Sequence, residues 1–484
     1  MPISRRSVIG GGAALAALSA YPLLAQPALS TERPSLPKRK EPILNDAVVN
    51  ARLIAKERPR KLFADGPVLP FWTYSDDPLS IIKVPKGGRL KTHFTNELPE
   101  HTSIHWHGIR LPNHMDGVPY VTQKPVYTGE SYHYDFTLPD SGLFPIHSHC
   151  NTVEQLGRGL AGALLVTGDE TRPYDDDVLC VIKDWRLGEN GEFLDFFTDD
   201  GASRGGTFAT VRTANLEKVP VMKVPANADV RLRIMSVNSS RVGQIGIEGH
   251  NGAAIISTDG QAVAPFPLST WRLGSAMRMD VVVRTPKSGG EAIVYDYFAP
   301  KPIVIAKLKS VGPNLQRGDF DPAPLYAPDI AEPDLSNAIY KRVDFTATAT
   351  PSYVELPNGE ELNYADSLCL SDKTYWAMNK QTWPEDGHQK LPAPILNLSK
   401  GRTYVIELVN GTPHMHPIHI HGHTFLYLKS NKESLPKHFA DTVLIKPKER
   451  VHVAFVADNP GDWMFHCHII EHAESGMMSI LRVA

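Results

Sequence analysis

The segment His466–Met478 reads HCHIIEHAESGMM: a cysteine between two histidines, a further histidine at 472 and a methionine at 477. Imidazole, thiolate and thioether are all metal ligands, and the last two are soft ones. Histidines also recur in a stricter pattern. Four His-x-His pairs stand out: His105/His107, His147/His149, His419/His421 and His466/His468. Alternate residues of a β-strand point to one face, so a pair on a strand aims two imidazoles at one point. Eight converging imidazoles are too many for one tetrahedral ion, which takes four ligands. Three ions at two or three imidazoles each would use all eight and leave room for a substrate.

The pairs belong to an internal repeat. KGGRLKTHFTNELPEHTSIHWHG (Lys86–Gly108) aligns without gaps on KGRTYVIELVNGTPHMHPIHIHG (Lys400–Gly422). GLFPIHSH (Gly142–His149) aligns on GDWMFHCH (Gly461–His468), and GLAGALLV (Gly159–Val166) on GMMSILRV (Gly476–Val483). The first and last thirds are therefore copies of one domain-sized unit. A fainter copy, VPANADVRLRIMSVNSS (Val224–Ser240), lies between them with no His-x-His pair after it, and the lone His250 there reads as structural.

The copies differ where chemistry would differ. Ser148 stands at the place of Cys467, Thr102 at that of His416 and Leu160 at that of Met477. With His472, the last unit alone holds two imidazoles, a thiolate and a thioether. Two His and one Cys with a weak axial Met is the ligand set of a blue electron-transfer copper. Zinc would not require the thioether, and structural zinc favours several cysteines. Strand alternation puts Cys467 on one face and His466 and His468 on the other, so a few bonds would link this copper to the cluster. His101, His114, His414 and His423 fall outside the register and read as outer or surface groups.

Strands must position these residues. DVRLRIMSV, RTYVIELVN and RVHVAFVAD alternate and are rich in branched or aromatic side chains. With 40 prolines and 36 glycines among short apolar runs, the 484 residues read as an all-β chain of β-sandwich units. The expected domains are 45–168, 175–312 and 339–484, with the proline-rich stretch 313–338 as linker. The net charge is −3 with no basic face, which argues against nucleic acid. Four cysteines do not make a disulfide scaffold; one bridge could form, its pairing open. Residues 1–30 run from SRR through GGGAALAALSAYPLLA to AQPA, the order of a secretory signal whose paired arginines resemble a twin-arginine signal. The apolar run is short and glycine-rich for a bilayer span. A soluble mature protein, periplasmic or secreted through the twin-arginine export machinery, is expected; its oligomeric state is not readable.

HWHG, HSH, HPIHIHG and HCHIIEHAESGM, in this order and spacing, resemble the four copper signatures of the multicopper oxidases, close to bacterial three-domain laccase-like members. The resemblance implies three cupredoxin-like Greek-key β-sandwiches and four copper ions. His416, Cys467 and His472 would bind the type 1 copper, with Met477 axial. His105 and His419 would hold the type 2 copper. His107, His147 and His468 would hold one type 3 copper, and His149, His421 and His466 the other. Single electrons from a small reducing substrate would enter at the type 1 site and reduce O2 to water at the other three ions. Asp116, in HMDGVP, matches the family's acidic residue near the cluster and is the expected proton donor. Where many relatives carry a glutamate after the second type 1 histidine, this chain has Ala473, with Glu474 next as a weaker candidate relay. Pro145 and Ile146 replace aromatic residues of relatives and should alter packing, not ligation. Asp441, in FADTV, could hydrogen-bond a ligand imidazole.

Substrate choice would lie in loops near His416 and His472. The eleven methionines are scattered, without the Met-rich segment that soft Cu(I) would favour. That favours phenols and aromatic amines; oxidation of Cu(I) or Mn(II) is the alternative, Mn(II) calling for a cluster of surface carboxylates, while acids such as Glu471 and Glu474 have no position in space that the sequence fixes. A non-catalytic copper carrier fits less well, since no expected ligand is missing.

Overall fold

A computed structural model describes residues 32–484, apart from 42, 44, 348–352, 356–360, 364–373 and 385–390. The expected export signal, residues 1–30, and Cys369 lie outside the described residues. No helix among the described residues is long and apolar enough to cross a membrane.

One strand plan is used three times. In the first unit Val48–Lys61 runs parallel to Arg89–Asn96, which pairs antiparallel with Ser131–Thr137. The middle unit repeats this with Asp176–Trp185, Asp229–Ser236 and Arg278–Arg284. The last unit repeats it with Ile339–Ala347, Thr403–Asn410 and Arg450–Val456. Each facing sheet also holds one parallel pair: Ile81–Pro85 with Ala161–Thr167, Val221–Ala226 with Ile303–Asn314, and Leu396–Leu398 with Met478–Val483. Neighbouring strands distant in sequence mark Greek-key connections. The chain is thus all-β, three cupredoxin-like Greek-key sandwiches in a row.

Alternation builds the cores. Along Arg89–Asn96 the side chains of Leu90, Thr92, Phe94 and Asn96 turn inward while Arg89, Lys91 and His93 face out. One apolar cluster runs without a break through the first and last units, from Leu53, Phe94 and Phe144 to Val343, Trp463, Cys467 and Met477. The middle unit keeps its own core around Ile234, Ile245 and Val281. The first and last units therefore share the interior in which their histidines meet. The expected linker carries no long strand, but it is packed down. Leu325 is fully buried, and Ile330, Leu335 and Ala338 cover the apolar outer face of the last unit around Val405 and Leu426.

Strand ends deserve a correction to the simple alternation reading. The first member of each histidine pair lies in a strand: His105–Trp106, Gly142–His147, His416–Ile420 and Gly461–Cys467. The second member lies past the strand's end, His107, His421 and His468 by one residue and His149 by two. Leaving the pleat frees the second imidazole to meet different neighbours from the first. The two ends are aligned by pairing His105 opposite His147 and His419 opposite His466. Cys150, Cys180 and Cys467 are buried free thiols, so no bridge joins them.

Candidate metal centres

His416 opens a strand, Cys467 closes the neighbouring one, and His472 sits in the short helix Ile470–Glu474 that follows. The Nδ1 atoms of His416 and His472 lie 3.1 Å apart, with Cys467 Sγ 3.6 and 3.7 Å from them. Met477 is fully buried in the same core, and its carbonyl accepts the Cys467 N–H at 3.1 Å. The far nitrogens are anchored: His416 Nε2 to Thr412 Oγ1 at 2.7 Å, and His472 Nε2–H to the Arg204 carbonyl at 2.7 Å. Both Nδ1 atoms and the sulfur are left facing one point.

The paired histidines meet nearby. His107, His147 and His468 form one group whose ligand atoms all lie within 4.8 Å, and His149, His421 and His466 form a second. His105 and His419 join His107 in a third. The closest approaches are His421 Nε2 to His466 Nε2 at 3.0 Å and His468 Nε2 to His147 Nε2 at 3.3 Å. These groups contain the residues that the copper signatures assigned together. One residue separates the two sites: Cys467 belongs to the first, and its neighbours His466 and His468 to the second.

Most cluster imidazoles are held by their outer nitrogen. The Nδ1–H groups of His105, His147, His419 and His466 donate to the carbonyls of Asp116, Ser148, Asp441 and Cys467 at 2.8 to 3.0 Å. His421 donates to Asp116 Oδ2 at 2.9 Å. Ser275 Oγ donates to the Asn238 carbonyl, so at 3.0 Å it accepts from His468 Nδ1–H. His107 is reversed: its Nε2–H donates to Asp441 Oδ1 at 3.0 Å, leaving Nδ1 inward. Gly108 makes this approach possible; its φ is +78°, and a Cβ there would collide with the Asp441 carboxylate.

Nε2 of His105, His149 and His419 and Nδ1 of His107 are buried with no hydrogen-bond partner. Buried polar atoms are nearly always satisfied, so a group of orphaned nitrogens facing one another fits a bound cation. Burial, and then neighbouring imidazoles, hold His107, His149, His419, His421 and His468 well below the ordinary histidine range. Burial pushes His147 and His472 down to about 3 and His466 to about 4. Neutral imidazole is the form that offers a lone pair to a metal. Burial raises the Cys467 thiol, so a metal must displace its proton on binding.

Asp116 is fully buried, and its Oδ1 accepts no hydrogen bond. A cavity of about 350 Å³ reaches His147, His149 and His466 and is also lined by Tyr120, Cys150 and Glu474. Solvent reaches the Glu474 side chain within it, yet the surrounding protein pushes the carboxyl up to about 7 against the lowering effect of the Val153 N–H, which donates to it at 2.9 Å. Of the four histidines outside the register, His423 is buried and donates to the His421 carbonyl, His101 lines the cavity, His114 is exposed, and His414 is half-buried beside His416. Pro145 accepts the His107 N–H at 3.1 Å, and Ile146 packs in the core.

The middle unit supplies what the ligand motifs leave out. Arg278 donates to both carboxylate oxygens of Asp441, at 2.9 and 2.6 Å, and also to the carbonyls of Leu143 and Asp259. One guanidinium thus ties all three units behind His107 and His419. Ser275 and Arg204 serve His468 and His472 in the same way. None of these residues lies in a motif.

Three family models described as multicopper oxidase match residues 63–171, 184–304 and 366–484. The solved multicopper oxidase of Pseudomonas thermotolerans is 35% identical, covers 91% of this chain and all of its own, and superposes with a TM-score of 0.80. An iron transport multicopper oxidase of Schizosaccharomyces pombe is 27% identical over 83% of this chain and 70% of its own length. Laccase-2 of Botryotinia fuckeliana is 26% identical over 81% and 74%. With the neutral, anchored imidazoles and the buried thiol described above, these likenesses make the chain a member of the multicopper oxidase family, oxidoreductases that use copper and O2.

Proposed function

We propose that this protein is a laccase-like oxidase, drawing single electrons from phenols or aromatic amines and reducing O2 to two waters with four bound coppers. The observation that carries this reading is the one-residue step from Cys467 to His466 and His468. Copper at these sites would store and pass single electrons and bind oxygen. Everything else falls to the chain's own residues. His416, Cys467 and His472, with Met477 beside them, would hold the copper that accepts the donor's electron. His105 and His419 would hold the type 2 copper; the two groups of three histidines would hold the type 3 pair. Asp116, hydrogen-bonded to His421 through one oxygen and 3.3 Å from His105 Nδ1 with the other, would hand protons to the cluster. Scattered methionines favour organic donors over Cu(I). The paired arginines ahead of an apolar run support export to the periplasm or beyond through the twin-arginine machinery.

The test is O2 uptake by copper-loaded protein with a phenol, Cu(I) and Mn(II) supplied in parallel. Uptake fastest with the phenol is expected. Uptake with a metal ion alone would replace the laccase-like reading by a metal-ion oxidase, and no uptake with any donor in a blue, fully loaded protein would sink the oxidase reading.

A further inference from the structure

A segment of the middle unit lies across the outer edge of the candidate type 1 site. It runs from Thr198 through the short helix Asp199–Ala202 to Phe208. Its Arg204 carbonyl accepts the His472 Nε2–H at 2.7 Å. The Trp376 indole, whose ring lies 4.2 Å from that of His472, donates to the Ala202 carbonyl at 2.6 Å. Glu471, next to the ligand, accepts from Thr198 N–H at 3.2 Å, from Thr207 Oγ1 at 2.5 Å and from the Thr207 N–H. Ser240 Oγ holds the Thr207 carbonyl at 2.9 Å. Six hydrogen bonds therefore fasten both ends and the middle of the strap, and His472 itself is fully buried. The one ring nitrogen of His472 that does not face the sulfur is already satisfied. No donor molecule can hydrogen-bond to it while the strap is in place.

The outer face of the strap is shaped. A methyl group placed on Gly205 would lie 3.6 Å from Phe208 Cζ and 3.7 Å from His414 Nδ1 and would touch little else. Gly205 thus leaves open space beside an aromatic ring and an imidazole, both within contact distance of a group placed on it. Phe208 is 54% exposed, an unusual state for so large an apolar ring, and Arg241 stacks on it at 5.2 Å. Arg204 is exposed and paired with Asp200 at 2.9 Å. Stacking surface, cation and imidazole together suit an electron-rich aromatic ring bearing a hydroxyl.

We propose that phenolic donors bind in this space over Gly205, between Phe208 and His414, and are oxidised there without touching His472. The proposal rests on the laccase-like reading. The donor would give up one electron to the copper that His416, Cys467 and His472 would hold, and its hydroxyl proton would pass to solvent, leaving a phenoxyl radical. The Arg204–Gly205 peptide and its hydrogen bond to His472 would lie between ring and ligand. Specificity then lies in the strap, a part of the middle unit that holds none of the assigned ligands.

Gly205→Leu tests this. The Gly205 backbone is not in the left-handed region, so a side chain adds bulk without strain. In the copper-loaded variant we expect KM for a phenol to rise about tenfold or more with kcat little changed, the signature of lost ground-state binding. The ratio of phenol KM to that for hexacyanoferrate(II), a donor with no ring to stack, should rise with it. Saturation-transfer NMR with anisole, a ring that is not turned over, should show binding to the wild type and its loss in the variant. Phe208→Ala, at an exposed site, should act in the same direction. The blue absorption reports that the copper site has survived. Unchanged phenol KM and unchanged anisole binding in both variants, with the blue band intact, would overturn the site while leaving the laccase-like reading standing. If the wild type oxidises no phenol, that reading fails, and the anisole titration alone decides the site.

Discussion

The first and last units share one strand plan and four aligned histidines, yet they handle the place of Cys467 in opposite ways. In the last unit His416 and His472 bring their Nδ1 atoms to within 3.1 Å of each other beside the buried thiol. In the first unit Thr102 takes the place of His416. Gln155, four residues before Gly159 as His472 is four before Gly476, takes the place of the helical ligand. Thr102 Oγ1 donates to Gln155 Oε1 at 2.7 Å, and Gln155 Nε2 donates to Glu100 Oε1 and the His101 carbonyl. A hydrogen-bond plug fills the volume in one copy where the other copy places three metal donors. Ser148 stands at the position of Cys467, its hydroxyl buried and without a partner. The comparison teaches that a duplicated sandwich supplies a site at each strand end, and that a few side chains decide whether it is an electron port or packing.

A second contrast crosses the interface. Asp116 accepts the ring N–H of His105 at its own carbonyl and that of His421, from the other unit, at its carboxylate. Asp441 mirrors this with His419 and His107. The mirror breaks at the remaining oxygens. Asp441 is gripped by Arg278 through both oxygens, whereas Asp116 Oδ1 accepts no hydrogen bond. A carboxylate fixed by a guanidinium is a strut, while one with no guanidinium on it, beside a cluster that would consume protons in forming water, can carry a proton.

The largest effect should come from making the last unit like the first. Cys467→Ser is expected to abolish the blue absorption and slow donor oxidation by about 10³-fold or more, while elemental analysis still finds the cluster coppers. A surviving blue band would mean that another residue is the sulfur ligand. The two aspartates should then separate. Asp441→Asn weakens the carboxylate that orients His107 and is expected to lower copper retention by about 10- to 100-fold, the usual cost of an outer hydrogen-bond partner. Asp116→Asn should keep its coppers and slow O2 reduction by about 10- to 100-fold, leaving anaerobic reduction of the blue copper intact. The same phenotype in both variants would erase the distinction between strut and relay.

The ligands were legible in the sequence because each lies in a short motif whose spacing is local, and because duplication printed the motif twice. Asp441 was visible only as an acid able to hydrogen-bond a ligand imidazole, not as the anchor of Arg278. Arg278, Ser275, Arg204 and Gln155 were not visible. Ser275 meets His468 across 193 residues and Arg204 meets His472 across 268, so their roles arise only when the middle unit docks. Strand identity was likewise readable from alternation, but the strand ends were not. The second histidine of each pair continues the apolar rhythm while lying just past the sheet, where hydrogen bonding to a neighbour, not side-chain pattern, sets the boundary.

The first unit's plug gives smaller effects. Thr102→Val removes the donor to Gln155 without changing shape, stranding a buried amide oxygen, and should lower stability by about 1–3 kcal/mol with no change in the blue band. A similar loss of blue absorption would mean that the plug supports the copper site across the contact between the short helices Thr152–Gly157 and Ile470–Glu474. Ser148→Ala is the mildest change. The hydroxyl has no partner to lose, so deletion should shift stability by no more than about 1 kcal/mol, toward a more stable protein. Since His147 is anchored through the Ser148 carbonyl and not its hydroxyl, the cluster should keep its coppers and its O2 reduction. A thermal melt checks the first expectation and single-turnover O2 reduction the second. A marked loss in either would show that Ser148 is more than the residue left in the place of the cysteine.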